Sequence, residues 1–229
     1  MTETSGSGLP DELLEDCLQG VHRLVAQGQA ATRDAIAAFA RIGVADVDLA
    51  LAELRARGLM APEDHGRIVL TAIGQQQAIG ILRRHRLSER LLTDVLGLPW
   101  DRVHDEAMRL EHALTPEAEA RLATLLRHPE TCPHGGPIPA PEGGTPRATP
   151  PFPTRTLDHV PAGTRVRITQ VAEEEGTFLR YLASLGLLPQ AYLTVEEVAP
   201  FGGPLLVRLG GARYALGREI AAKILVGEA

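Results

Sequence analysis

The apolar positions of this chain repeat every three to four residues up to about residue 128 and every second residue after about residue 156. In the first region, Leu14, Leu18, Val21, Leu24 and Val25 form one stripe and predict a helix over residues 11–27. Thr32, ahead of Arg33-Asp34-Ala35-Ile36, reads as the N-cap of a second helix ending near Gly43. A third helix is predicted from about Ala45 to Arg57, with Val47, Leu51 and Leu54 inward and Gly58 closing it. Two short extended pieces follow, Leu59-Met60-Ala61 and Arg67-Ile68-Val69-Leu70, around the turn-like Glu63-Asp64-His65-Gly66. Three helices followed by a hairpin is the order of a winged helix-turn-helix.

From Thr71 a long helical pattern runs to about Leu96, where Gly97-Leu98-Pro99 breaks it. A helix over about Trp100 to Ala113 comes next, and Thr115-Pro116-Glu117 starts another with a cap and a first-turn proline. Leu87, Leu91, Leu92, Val95, Val103 and Leu110 are more apolar positions than three short helices bury alone, which predicts a self-associating surface. Proline and glycine then dominate from Pro129 to Pro153, so this stretch is expected to be a tether. Beyond it, Arg165–Thr169 and Tyr192–Val195 alternate and Leu205–Leu209 is an apolar run. Gly-Gly pairs at 202–203 and 210–211 mark turns, and Phe178–Leu185 is a short helix. The expected fold is α+β and multidomain: a winged helix-turn-helix over 1–75, an all-α dimerisation domain over 76–130, a Pro/Gly-rich linker over 131–155 and a small SH3-like β-barrel over 156–229.

Composition narrows the function. Hydrophobic residues at 44% supply cores, yet no run of about 18 apolar residues occurs and no basic stretch opens the chain, so neither a membrane span nor a secretory signal is expected and the protein is placed in the cytoplasm. Two cysteines, Cys17 and Cys132, are too few for a disulfide framework or a four-thiolate zinc site. The net charge is −6, and residues 1–82 carry 11 acidic against 6 basic groups, which argues against nonspecific binding to polyanions unless a cation offsets it.

The candidate chemistry is concentrated between residues 85 and 112. His85 and Glu89, four apart, share a helix face, and His104 can look toward them; Met108, Glu111 and His112 share another face. Two adjacent three-donor metal sites follow. Imidazole and carboxylate without a thiolate cluster suit Mn(II), Fe(II) or Co(II) better than structural zinc. Three donors are too few for an octahedral ion, so Asp16 and the run Glu173-Glu174-Glu175 are expected lenders. Cys132 with His128 and His134 has the types of a third cluster, but Pro133, Gly135 and Gly136 favour a plain loop.

Residues 85–114, H-R-L-S-E-R-L-L-T-D-V-L-G-L-P-W-D-R-V-H-D-E-A-M-R-L-E-H-A-L, followed by C-P-H-G-G-P-I-P at 132–139, resemble the diphtheria toxin repressor family of metal-dependent transcriptional regulators (DtxR, IdeR, MntR). The resemblance implies an ancillary site on His85, Glu89 and His104, completed from an SH3-like (FeoA-like) domain by Glu174 or Glu175. It also implies a primary site on Asp16, Met108, Glu111 and His112. Position 16 is Asp, as in the manganese branch, whereas Met108 is a soft donor of the iron branch. The carboxylate favours Mn(II) slightly over Fe(II).

The implied function is a homodimeric repressor that binds operator DNA when loaded with metal and controls metal homeostasis genes. The helix expected in the major groove, Val44 to Glu53, offers two aspartates and a glutamate but no Asn, Gln or Arg. Phosphate anchoring therefore falls to Arg33, Arg41, Arg55, Arg57 and Arg67. Two other functions fit less well. A metal-dependent hydrolase lacks an H-E-x-x-H or nucleophile-elbow motif, and a metal-independent adaptor would use only the SH3-like domain to bind a proline-rich peptide.

Overall fold

The computed structural model describes residues 9–63, 65–141, 155–172 and 175–229. It divides within one long helix into two units, residues 1–84 with 139–144 and residues 85–138 with 145–229.

The first unit holds α1 (Asp11–Ala26), α2 (Arg33–Ala40), α3 (Val44–Ala56) and the start of α4 (Ala72–Arg90). Most of the α1 stripe is buried: Leu14, Leu18, Val21 and Leu24 meet Ile36 of α2, Val47, Leu51 and Leu54 of α3 and Ile81 of α4 in one core, whereas Val25, in the last turn at the edge of that face, is 58% exposed. Each large aliphatic side chain so removed from water contributes roughly 1.5–3 kcal/mol. Thr32 caps α2 by accepting a hydrogen bond from Ala35 N at 3.3 Å. That helix stops three residues before Gly43, where Arg41 turns left-handed at φ 57°. The hairpin forms by an antiparallel bridge between Met60 and Leu70, and Leu59, Met60 and Ile68 anchor it in the same core. This is the winged helix-turn-helix.

The second unit continues α4 from His85 into a π-helical turn at Leu91–Val95, followed by α5 (Val103–Leu110), a 3-10 turn at Glu111–Ala113 and α6 (Pro116–Leu125). Thr115 accepts from Ala118 N at 3.2 Å and starts α6. Leu87, Leu92 and Val103 are buried, whereas Val95, Leu96 and Leu125 are 53%, 59% and 64% exposed.

The β region contains β1 (Arg155–Thr156), β2 (Arg165–Val171), α7 (Gly176–Leu185), β3 (Tyr192–Val198), β4 (Leu205–Leu209), β5 (Ala212–Leu216), α8 (Arg218–Ala221) and β6 (Ile224–Glu228). Its six strands pair antiparallel in the order β1-β6-β2-β3-β4-β5. Val166 and Ile168 of β2, Leu193 and Val195 of β3, and Val207 of β4 point inward with Leu179 and Leu182 of α7. The alternation identifies β2 to β4. It does not reveal β1, β5 or β6, which are short or carry little alternation. Among the described residues no helix is long and apolar enough to cross a membrane.

One expectation needs correction. The linker expected over 131–155 begins with a folded piece. Residues 131–138 form a tight turn in which Cys132 N donates to Gly136 O at 2.8 Å and Ile138 N to Glu130 O at 2.8 Å. Ile138 is buried with Leu87, Leu122 and Ala123. Proline and glycine rule out a helix here but permit a compact turn, and Ile138 gives it something to bury.

Candidate metal centre

Helical spacing places the first donors. His85 and Glu89, one turn apart on α4, approach to 3.3 Å between Nε2 and Oε1. His104, near the start of α5, brings its Nδ1 to 3.2 Å from His85 Nε2 and 3.9 Å from Glu89 Oε1. His85 and Glu89 are buried and the His104 side chain is 17% exposed. The three expected donors are therefore assembled.

A fourth group reaches the same carboxylate from a segment where proline and glycine predict a plain loop. His134 Nδ1 lies 3.2 Å from Glu89 Oε1, and Glu89, Cys132 and His134 each present a ligand atom within 4.8 Å of the others. The turn that carries Cys132 and His134 is held from several directions. Arg90 Nε donates to Thr131 O at 2.6 Å, an Arg86 guanidinium N–H donates to Pro137 O, and Val171 N of β2 donates to His134 O at 2.9 Å. Gly135 makes the approach to β2 possible, since its φ is +87° and a Cβ there would sit 2.0 Å from Thr169 O.

The environment fits a cation. Glu89 is fully buried, yet neither carboxylate oxygen makes a well-formed hydrogen bond among the described residues, and neither does His134 Nδ1. A buried carboxylate without donors is costly unless positive charge compensates it. Two imidazoles are oriented for this role: His85 Nδ1 is paired with Glu111 Oε2 at 2.5 Å and His134 Nε2 with Trp100 O at 2.8 Å, so each turns its other nitrogen toward Glu89.

Without metal, protons do the compensating. Burial opposes the charged form of His85, but Glu89 and Glu111 outweigh it and raise its pKa from 6.5 to about 9. Burial likewise opposes His134, and the neighbouring Cys132 and Glu89 outweigh that and raise it to about 11. Burial works against the Glu89 carboxylate as well, yet His85 and His134 hold it well below the usual carboxylate range. Burial, with the Glu89 charge, pushes the Cys132 thiol up.

The signs set the pH behaviour. The raised histidines stabilise the metal-free fold fully below about pH 6.5, and this is lost as pH rises through about 9 and 11; the Glu89 contribution is present above about 4.5 and lost toward acid. Because ligands bind deprotonated, metal affinity at this cluster is expected to rise between about pH 6.5 and 9 with net proton release. Calorimetric titration in buffers of different ionisation enthalpy measures that release; a proton count of zero would remove the histidines from the ligand set.

The second group lies beside the first. Glu111 is buried in the 3-10 turn, with Oε1 3.9 Å from His112 Nε2, and Met108 is half-buried one turn earlier on α5. Glu111 faces both groups, since its other oxygen holds His85. Asp16 lies half-buried on α1 of the first unit.

The acidic lender expected from the β domain is differently employed. Glu175 caps α7, its two oxygens each accepting at 2.8 Å from Thr177 N and Phe178 N. Those backbone bonds hold its carboxyl below the ordinary range. Glu173 and Glu174 lie outside the described residues.

The arginines expected at DNA phosphates are mostly engaged within the chain. Arg33 pairs with Asp48 and Glu63 at 2.6 Å, Arg55 with Glu63 at 2.6 Å, and Arg57 with Glu53 and Asp11 at 2.9 Å. Arg41 and Arg67 are exposed, at the end of α2 and in the wing. These pairs join residues as far apart as 46 positions, beyond the reach of any local sequence pattern.

Comparison with known proteins agrees with this geometry. Residues 71–140 match the family described as "Iron dependent repressor, metal binding and dimerisation domain", and residues 155–228 match the FeoA domain. The iron-dependent repressor IdeR of Mycobacterium tuberculosis is 36% identical over 181 residues, covering 74% of this chain and 76% of that protein. IdeR of Mycobacterium leprae is 31% identical over 221 residues, covering 91% and 94%. A solved manganese-dependent transcriptional repressor in complex with manganese superposes with a TM-score of 0.83 at 32% identity, covering 94% of this chain and all of the other.

Proposed function

Because the chain belongs to the iron-dependent repressor family, it is a metal-dependent transcriptional repressor acting with Fe(II) or Mn(II), and we propose that it binds operator DNA as a homodimer only when metal is bound. The observation that carries this reading is the convergence of His85, His104 and His134 on a buried Glu89 carboxylate, beside a second donor group that shares Glu111.

The primary site is proposed on Asp16, Met108, Glu111 and His112, and the ancillary site on His85, Glu89 and His104. A bound cation supplies charge neutralisation and a common point of attachment for side chains from separate helices. Asp16 stands on α1, which packs with α2 and α3 in the DNA-reading unit, so fixing its carboxylate fixes the orientation of α3. Val95, Leu96 and Leu125 supply the apolar surface for pairing two copies. A dimer then presents two α3 helices to half-sites about 34 Å apart or a multiple of it. Restricting the two reading heads to that spacing removes an ordering cost from DNA binding. Family membership favours this reading over the hydrolase and the adaptor. Retention of genomic fragments with Mn(II) or Fe(II), and their release by a chelator, tests it; retention indifferent to chelator contradicts it.

We propose that the outward face of α3 reads DNA mainly through apolar contacts. Ala45, Asp48, Leu49 and Ala52 are exposed, and Asp48 is neutralised by Arg33. Leu49, at 57% exposure, together with the alanines suits apolar contact with thymine methyls and the shape of the groove. Replacing contacted thymines with uracil is expected to weaken operator binding by about 0.8 kcal/mol per methyl, roughly fourfold. Fluorescence anisotropy measures this, and equal affinity for both operators would deny α3 that role.

A further inference from the structure

The β domain carries a cavity that the metal chemistry does not use. It has a volume of about 610 Å³ and is lined by Arg155 of β1, Thr164, Arg165 and Val166 at the entry to β2, Tyr192 at the start of β3 and Glu228 at the end of β6. We propose that it binds a nucleotide, with Arg155 and Arg165 taking the phosphate and Tyr192 stacking on the base.

The charge of the cavity points to an anion. Elsewhere in this domain the guanidinium groups are matched by carboxylates: Arg208 and Arg213 share Glu196 at 2.5 and 2.6 Å, and Arg180 pairs with Asp101 at 3.1 Å. Among the described residues Arg155 and Arg165 pair with no carboxylate, although Glu228 lines the same cavity. The pairing of β2 with β6 explains part of this, since Glu228 stands opposite Val166 and alternation places it on the other face of the sheet from Arg165. Two uncompensated guanidinium groups in a concave site focus a positive potential there. A phosphate, with its double charge and several acceptor oxygens, can engage both at once, whereas one bidentate arginine already satisfies a carboxylate.

The aromatic ring points to what the phosphate carries. Strand pairing sets Tyr192 opposite Arg167 and Thr194 opposite Arg165, so Arg165, Arg167 and Tyr192 share one face of the sheet. The Arg165 guanidinium carbon lies 5.3 Å from the centroid of the Tyr192 ring. Its donors lie in the guanidinium plane, so a contact made through its face leaves the N–H edge for an anion. Tyr192 remains 47% exposed, which leaves ring surface for a flat base. Arg167, held by Gln190 Oε1 at 3.2 Å, adds a third positive charge to that face. The rim is fixed in advance: Thr164 O accepts from Val195 N at 2.9 Å, and Gly163 N donates to Val195 O at 2.7 Å. The volume falls within the range of about 300–1,000 Å³ usual for small-ligand sites. A nucleotide there would give the chain an input besides metal.

Calorimetric titration of the full-length protein with ADP, inorganic pyrophosphate and adenosine tests this, with chelator present because nucleotide phosphates also bind divalent ions. Wild type is expected to bind ADP more tightly than pyrophosphate and adenosine not measurably. Arg155→Gln and Arg165→Gln should each weaken ADP binding about tenfold or more. Tyr192→Leu should bind ADP no better than pyrophosphate, and Arg121→Gln, on α6 and outside the cavity, should match wild type. All four side chains are exposed, so the variants should fold, and circular dichroism checks this. Absence of ADP binding, or ADP binding unchanged in both arginine variants, overturns the proposal. Equal affinity of wild type for ADP and pyrophosphate means an adventitious ion only and also overturns it. Tighter binding of single-stranded oligothymidylate than of ADP, lost in the same variants, replaces the nucleotide with a nucleic-acid strand. None of these results alters the metal-sensor reading.

Discussion

Glu111→Ala should abolish metal-activated operator binding, with metal affinity falling by more than about 100-fold. The size follows from two connections. One Glu111 oxygen pairs with His85 Nδ1 at 2.5 Å and orients that ring toward Glu89; the other lies 3.9 Å from His112 Nε2. Loss of an outer partner of a metal-bound histidine alone costs about 10–100-fold in affinity, and Glu111 is also proposed as a direct ligand. Glu111→Gln keeps the volume but removes the charge, and is expected to fall between wild type and alanine. Metal titration followed by anisotropy on a labelled operator measures both steps. Wild-type activation of Glu111→Ala would disconnect the two donor groups and refute the shared role.

Gly135→Ala is expected to cost about 3 kcal/mol or more, in the upper range for single substitutions. A left-handed backbone costs an L residue roughly 1–2 kcal/mol. Here the new Cβ would also meet Thr169 O at 2.0 Å and Gln170 Cα at 2.8 Å, both backbone atoms that cannot rotate away. The turn must then leave β2, breaking the Val171 N to His134 O bond and carrying Cys132 and His134 away from Glu89. Gly58→Ala separates the two causes: its φ is +71° but nothing stands within 4 Å, so it should lose only the conformational part. Urea unfolding gives the energies, and hydrogen exchange at Val171 reports whether the turn has detached. Equal losses in the two variants would mean that the close approach does not matter.

Local rules made much of this molecule legible. The stripe of α1, the Thr32 and Thr115 caps and the left-handed Gly58 follow from spacing and side-chain chemistry, and all are present. The same applies to His85 and Glu89, because a four-residue separation on a helix leaves no freedom in which face they share. What escaped depended on contacts between distant segments. Residues 91–95 continue the helical period, so nothing in the pattern shows that the turn widens there to π geometry. Cys132 and His134 looked like loop residues because proline and glycine surround them; only Ile138, buried on Leu87 and Leu122, betrays that this stretch packs. Glu175 offers acidic chemistry in the sequence, but helix capping in the fold claims it first. The arginines of the DNA-reading unit are similar: their charge is visible, their partners Asp48, Glu53, Glu63 and Asp11 are not. Exposed pairs of this kind contribute little, so phosphates can take over those guanidinium groups at small cost.

The central claim is that a divalent ion held by α1 and α5 side chains together switches DNA binding on, and Asp16 is its most exposed point. The decisive measurement is an anaerobic Mn(II) and Fe(II) titration of wild type and Asp16→Ala on one labelled operator, with chelator reversal. The account predicts saturable, reversible activation of the wild type and none of the variant at the same metal concentration, with the ancillary cluster still binding metal in both. Identical activation curves for the two proteins would contradict it.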